Sequence, residues 1–178
     1  MRYPINDGTH KWALAQCTES AFNGTTILKG GTGQYVGYIG EAIFGMWLAE
    51  NDLPFDYIAS DSFDADFTVS GLTFDVKTKN RNVLPRLDYS AHIASSQKKQ
   101  TCMYYVFTSV LMARDRAACC DLLGWIRKDQ FWSKCEEVEL GQNQDGLVER
   151  ASAGKLPYSA LGSMDALANN LKVFLKSL

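Results

Sequence analysis

The chain has 178 residues, of which 46% are hydrophobic and 12% aromatic, and its formal net charge is −2. Such a length and composition allow one ordered domain, residues 1–178, with a real core, and exclude a disordered chain. A charge so near neutral gives no ground for nucleic-acid binding by itself, so any such function must show in how the charges are distributed.

Residues 6–20 (NDGTHKWALAQCTES) open with cap-type residues and are expected to form a helix. Residues 23–33 (NGTTILKGGTG) read as a Gly/Thr-rich loop, and no Gly-Lys-Ser/Thr ends it, so it is not a Walker A loop. The stretch GQYVGYIGEAIFGMWLAEN then sets Val36, Ile39, Ile43, Phe44, Trp47 and Leu48 at helical spacing. Gly37 and Gly40 within it permit close packing or the approach of a phosphate. Strand-like pieces follow at 55–60, 66–70 and 72–78, and the Ser70-Gly71 turn makes a hairpin of the last two. After Pro85, residues 88–100 (DYSAHIASSQKKQ) are expected to be helical. Residues 102–111 and 119–128 read as apolar strands. A short helix carries Phe131 and Trp132, residues 139–160 read as loop, and a C-terminal helix spans about 163–177. The order α–β–β–β–α–β–β–α predicts a mixed α+β fold, one mixed sheet with helices on its faces.

No run of 18 apolar residues occurs and the N-terminal stretch lacks an apolar segment, so neither a membrane span nor a signal peptide is expected. Cys17, Cys102, Cys119, Cys120 and Cys135 form no C-x-x-C, and His10 and His92 stand far from zinc-type spacing. Free thiols in a reducing cytoplasm are the expectation. His92 reads as a helix-surface residue, and Trp47, Trp125, Phe131 and Trp132 read as core.

Residues 41–75 hold eight carboxylates and no Lys or Arg, whereas residues 76–100 hold six basic residues and one acid. The boundary falls inside LTFDVKT, where Leu72, Phe74 and Val76 alternate with Thr73, Asp75 and Lys77. Asp75 and Lys77 therefore leave one face of a strand about 7 Å apart. One reading is an exposed ion pair of small worth. The other is a metal ligand beside a catalytic ammonium. Asp66 opens the preceding strand across a two-residue turn, which can bring its carboxylate near that of Asp75. Two such carboxylates repel, and a divalent cation with oxygen ligands, Mg²⁺ or Mn²⁺, would relieve them. Glu41, after Gly40 on the upstream helix, is a third candidate, and Asp64 is a second choice to Asp66.

The succession GYIGEAIF, DADFTVSG and LTFDVKTK, then a helix and an apolar strand, resembles the PD-(D/E)XK nuclease superfamily over about residues 33–128. The resemblance implies a restriction-endonuclease-like fold and metal-dependent phosphodiester hydrolysis. It implies that Asp66 and Asp75 hold the metal, that the Val76 carbonyl adds a ligand, and that Glu41 assists. Lys77 would orient or deprotonate the attacking water. Ala65, rather than Pro, precedes Asp66, a departure from the pattern. Gln100 and Tyr104 fit the letters of a Gln-x-x-x-Tyr motif found in some members, and Gln97 is an equal candidate for a polar contact to substrate.

The expected function is a metal-dependent nuclease acting on DNA. Glu41, Asp66, Asp75 and Lys77 would be catalytic, and Lys79, Arg81, Gln97, Lys98 and Lys99 would meet the nucleic acid, with Arg86 at the rim. The alternative is a nuclease-fold binding or protein-interaction module without turnover. No membrane partner is expected. A homo-oligomer is, because one active site of this kind cuts one strand at a time.

Overall fold

The alternation around Ser70-Gly71 builds the centre of the molecule. The computed structural model describes residues 1–19, 32–58, 64–114, 116–139, 141, 143–144, 147–148 and 152–178. In it β3 (Phe67–Val69) and β4 (Leu72–Arg81) form an antiparallel hairpin. Ser70 and Gly71 both take positive φ, 48° and 84°, the two-residue turn whose twist matches that of paired strands. On the outer side β3 pairs with β2 (Asp56–Tyr57).

On its other side β4 runs parallel to β6 (Tyr104–Ala113), which is antiparallel to β7 (Arg116–Arg127). β1 (Arg2–Pro4) closes that edge, giving a six-stranded mixed sheet in the order β1-β7-β6-β4-β3-β2. A parallel neighbour needs a crossover. Here it contains β5 (Ser90–Ala94) and a 3₁₀ turn, Ser95–Lys99.

Helices α1 (Asp7–Glu19) and α2 (Thr32–Glu50) cover one face of the sheet. Asn6 caps α1 by accepting from the Thr9 N–H at 2.8 Å. Ile39, Ile43, Phe44 and Trp47 of α2 pack on Phe67, Phe74, Val106 and Val110 in the first core. A second core lies among Ile93, Tyr105, Phe107, Ile126, Phe131 and Leu156. It is closed by α3 (Lys128–Lys134) and by a three-stranded sheet, in which β11 (Ala153–Pro157) pairs with both β5 and β8 (Glu136–Val138). A small hairpin joins β9 (Asn143–Gln144) to β10 (Leu147–Val148). Helix α4 (Met164–Lys176) starts where Ser163 Oγ accepts from the Ala166 N–H, and it buries Leu167 and Leu171.

The mixed α+β class, the hairpin and the two long helices stand as expected. Two segments differ. Residues 88–100 are not a helix: Ala91 and Ile93 are buried in alternation with their neighbours, a period of two, because Ser90–Ala94 pairs along β11. His92 is consequently a half-buried strand residue rather than a helix-surface one. Residues 139–160 are not simply loop, since β11 lies there. Its Gly154 passes so close to Trp132 and Cys135 that a Cβ would meet them at 2.8 Å. Helices α1, α2 and α4 therefore cover one face of the main sheet, and α3 with a second sheet covers the other. Most of the expected Gly/Thr-rich loop and the end of the strand at 55–60 lie outside the described residues.

Candidate active site

The site begins with a gap in the β3–β4 ladder. The pairing ends at Phe67–Phe74, and the Asp66 N–H donates to the Phe74 carbonyl. β3 no longer flanks β4 beyond this point. The Asp66 carboxylate takes its place: Oδ2 accepts from the Val76 N–H at 2.6 Å. The same bond that satisfies the strand draws Asp66 towards Asp75 and Val76.

Close packing brings Glu41 to the same place. A Cβ on Gly40 would collide with the Thr78 and Thr108 hydroxyls, so only glycine lets α2 settle this near β4 and β6. Those two hydroxyls bond to each other at 2.9 Å. Glu41 follows directly, and its Oε2 accepts from the Tyr57 hydroxyl at 2.7 Å.

Asp75 is 6% exposed, so the expectation of an outward-facing acid fails at this position. The packing of β5 and the 3₁₀ turn supplies the reason, because the crossover brings Gln100 and Cys102 over what would be an open strand face. The Lys77 ammonium pairs with Asp75 Oδ2, and Gln100 Nε2 donates to Oδ1 at 3.4 Å. Lys77 also lies 5.7 Å from the centre of the Tyr105 ring. Gln100 itself is buried, and its carbonyl accepts from Lys128.

The carboxyl groups act on one another. Burial pushes Glu41 up to about 7, with the Asp75 charge adding to the rise and Tyr57 and Lys77 opposing it. Burial raises Asp66 well above the usual carboxylate range, and Glu41 and Asp75 raise it further. Burial raises Asp75 too, against the pull of Lys77 and Gln100. Three acids thus share one ammonium in a poorly solvated place, leaving surplus negative charge.

Among the described residues no three His, Cys, Asp or Glu side chains stand as a ready-made metal cage. The donors fit a hard divalent cation in kind and charge, as clustered oxygen ligands with unrelieved repulsion. Each is bonded to a partner in this structure: Tyr57 on Glu41, the Val76 N–H on Asp66, Lys77 on Asp75.

The remaining expected site residues divide. Asp64 Oδ1 accepts from the Thr101 N–H at 3.1 Å. Tyr104 stacks on Phe74, 5.0 Å between ring centres, against the first core, whereas Gln100 is turned to Asp75. Gln97 and Lys79 line a cavity that also borders Lys77. Arg81 lies further along β4, donating to the Tyr158 hydroxyl at 2.7 Å. Lys98 pairs with Glu137 at 3.3 Å, and Lys99 is exposed on the 3₁₀ turn. Arg86 pairs with Asp88. Arg81 and Arg86 both lie against the Tyr89 ring, at 4.7 and 5.7 Å from its centre.

Tyr57, Tyr105 and Cys102 at this site carry no signal in the sequence. Alternation cannot reveal that Tyr57 faces α2, nor that Cys102 sits close enough for the Asp75 charge to add to the effect of its burial. No helix among the described residues is long and apolar enough to cross a membrane. Comparison of the chain with protein-family models and with curated proteins finds no match.

Proposed function

We propose that the chain is a metal-dependent nuclease that hydrolyses phosphodiester bonds in DNA. One observation carries this reading: Glu41, Asp66, Asp75 and Lys77 come from three elements and are close enough for their charges to act on one another. The resemblance to the PD-(D/E)XK pattern is consistent with it and assigns the roles. Asp66 and Asp75, with the Val76 carbonyl and Glu41, would hold Mg²⁺ or Mn²⁺. Such an ion would supply charge neutralisation at the phosphate and a lowered pKa for water.

The chain's own residues do the rest. Lys77 holds a positive charge beside Asp75 and orients water or offsets negative charge that develops on the phosphate. Gln100 fixes one oxygen of Asp75 and so its direction. Tyr57 holds one oxygen of Glu41. Five free thiols favour a cytoplasmic setting. A homo-oligomer would let two such sites cut both strands at one place.

The second reading is a nucleic-acid-binding or protein-interaction module without turnover. The ion pair that keeps Lys77 on Asp75 favours it, because a lysine so engaged is not addressed to water. Cleavage of supercoiled, linear and single-stranded DNA, each with Mg²⁺, with Mn²⁺ and with EDTA, separates the two. Cation-dependent cleavage that Asp75→Asn abolishes supports the nuclease. Retained binding without cleavage in any cation supports the module.

A further inference from the structure

β4 continues past the carboxylates, and its far half has a different character. Lys77, Lys79 and Arg81 occupy alternate positions in an unbroken register with β6, so they leave the same face at intervals of about 7 Å. Beside this row runs open space. A cavity of about 360 Å³, bordered by Lys77, Lys79, His92, Gln97, Phe107 and Tyr158, lies between the main sheet and β5. A second, of about 380 Å³, is bordered by Lys79, Asn80, Arg81 and Asn82. Thr78 and Lys79 border both, so the two cavities lie side by side along the strand and are taken together as one groove.

Three cations bear on one wall of this groove. Burial and the charges of Lys79, Lys155 and Arg81 hold the His92 imidazole down to about 4. Lys155 stands opposite His92 in the β11–β5 register. Arg81 is fixed flat: its guanidinium carbon lies 4.7 Å from the Tyr89 ring centre and 5.6 Å from that of Tyr158. A guanidinium beside two aromatic rings, one of whose nitrogens already holds a tyrosine hydroxyl, is well placed to meet an anionic oxygen.

We propose that this groove is the track of a single-stranded nucleic-acid segment, whose successive phosphates meet Lys79 and Arg81 and whose end reaches Lys77. The size of the space selects the strand. Each cavity is of the volume that holds one small ligand, so nucleic acid can enter only as a single strand and not as a duplex. A row of cations at strand spacing, with apolar and aromatic wall from Phe107 and Tyr158, is the usual construction of a backbone-tracking groove. That the strand leads to a cutting centre rests on the nuclease reading. The track itself does not.

The test is binding in EDTA, where cleavage plays no part. Fluorescence anisotropy is measured with a labelled single-stranded DNA, the same sequence as RNA, and a blunt DNA duplex, over a range of salt. The full chain is expected to bind a single strand at least roughly tenfold tighter than the duplex, the two single-stranded arms showing which sugar is preferred. Lys79→Gln combined with Arg81→Gln is expected to weaken single-strand binding and to lower the salt slope by about 0.7 for each lost phosphate contact. Lys79→Gln alone, an exposed position, is expected to give half that change in slope if Arg81→Gln disturbs folding. Lys172→Gln, exposed on α4, is the control and should change neither. Equal affinity for the blunt duplex, or an unchanged slope in Lys79→Gln, overturns the track. If single-strand binding follows these expectations while no cation supports cleavage, the nuclease reading falls and the track stands.

Discussion

Among the described residues three ion pairs have the same spacing, and one of them is enclosed. Asp75–Lys77, Arg86–Asp88 and Arg127–Asp129 each join an acid to a base two residues away. The side chains of the second pair are 68% and 61% exposed, and those of the third 53% and 67%. Those of Lys77 and Asp75 are 14% and 8% exposed. Water screens the first kind, so each contributes little. The enclosed pair has lost that screening, and two further carboxyl groups face it. What distinguishes a site from a surface ion pair is therefore not the dipeptide spacing but what is packed over it: α2 through Gly40, and the crossover through Gln100.

The comparison breaks most visibly in activity. Asp75→Asn is expected to abolish cation-dependent cleavage, because it removes one donor from a set whose charge attracts the ion. Asp88→Asn should leave cleavage at the wild-type rate. Isothermal titration with Mn²⁺ should show the first variant losing heat of binding and the second keeping it. If Asp75→Asn cleaves as well as wild type, the three pairs are alike and the nuclease reading is wrong.

Lys77 comes next. Lys77→Met is expected to slow cleavage by roughly two or more orders of magnitude while leaving Mn²⁺ binding in place. It should also destabilise the fold by roughly 2–4 kcal/mol near neutral pH, since an enclosed carboxylate loses its counter-charge. Asp75→Asn in the same chain should restore most of that stability, though none of the activity. Denaturant melts of the two single variants and the double variant measure the coupling. Additive losses would mean that the enclosed pair interacts no more strongly than an exposed one.

How much of this was legible in the sequence depends on whether local order or long-range packing decides. The hairpin was legible because Leu72, Phe74 and Val76 alternate and Ser70-Gly71 fits one kind of turn. Helix α2 was legible because its apolar residues recur at helical spacing over 19 residues. Residues 88–100 misled because SAHIASSQKKQ has good helix formers, and its strand character comes from β11, more than 50 residues away. The same cause hid the burial of Asp75. A strand pattern states which face a side chain leaves, but not what the chain later lays over that face. The carboxylates were legible as residue types. Gln100 was named for a motif with Tyr104, but its contact with Asp75 depends on a turn that the sequence reads as helix.

A smaller effect is expected in the response of the cation-free fold to pH. Glu41 titrates near 7 in the folded chain against an ordinary value of 4.5, and Asp66 and Asp75 are raised as well. The folded chain thus holds these protons to higher pH than the unfolded one. The stability that Glu41 contributes in this way is complete below about 4.5 and is lost as the pH rises through about 7, and the two aspartates act in the same sense. His92 acts in the opposite sense: held down to about 4 from 6.5, it contributes above 6.5 and loses that contribution as the pH falls through 4. His92→Gln should therefore expose the carboxyl slope, with a melting temperature in EDTA that climbs as the pH falls from about 7.5 to 5.5. Mg²⁺ should raise the melting point most at the upper end of that range, where the acids are ionised. A flat profile in His92→Gln would show that the fold does not raise these acids above their ordinary values.

The smallest effect is expected at the exposed pairs, where the comparison is sharpened by salt. Arg127 donates from Nε and Nη2 to the two oxygens of Asp129 at 3.1 Å each, better fork geometry than Lys77 can offer. The Asp129 carboxylate also accepts from the Gln130 N–H at the first turn of α3, and these bonds, with that of Arg127 the strongest, hold it below the usual range. Geometry alone would rank this pair above Asp75–Lys77. Exposure ranks it below, because both groups remain in water and keep most of their hydration whether or not they meet. Arg127→Gln and Asp129→Asn should shift the melting temperature by no more than about 2 °C. The shift should shrink further in about 1 M salt, where the screening length falls to about 3 Å. The cost of Lys77→Met should persist at the same salt, since a pair so little exposed is screened far less than a surface one. If salt erased both costs equally, enclosure would not be what separates the pairs, and the role given to Lys77 would lose its physical basis.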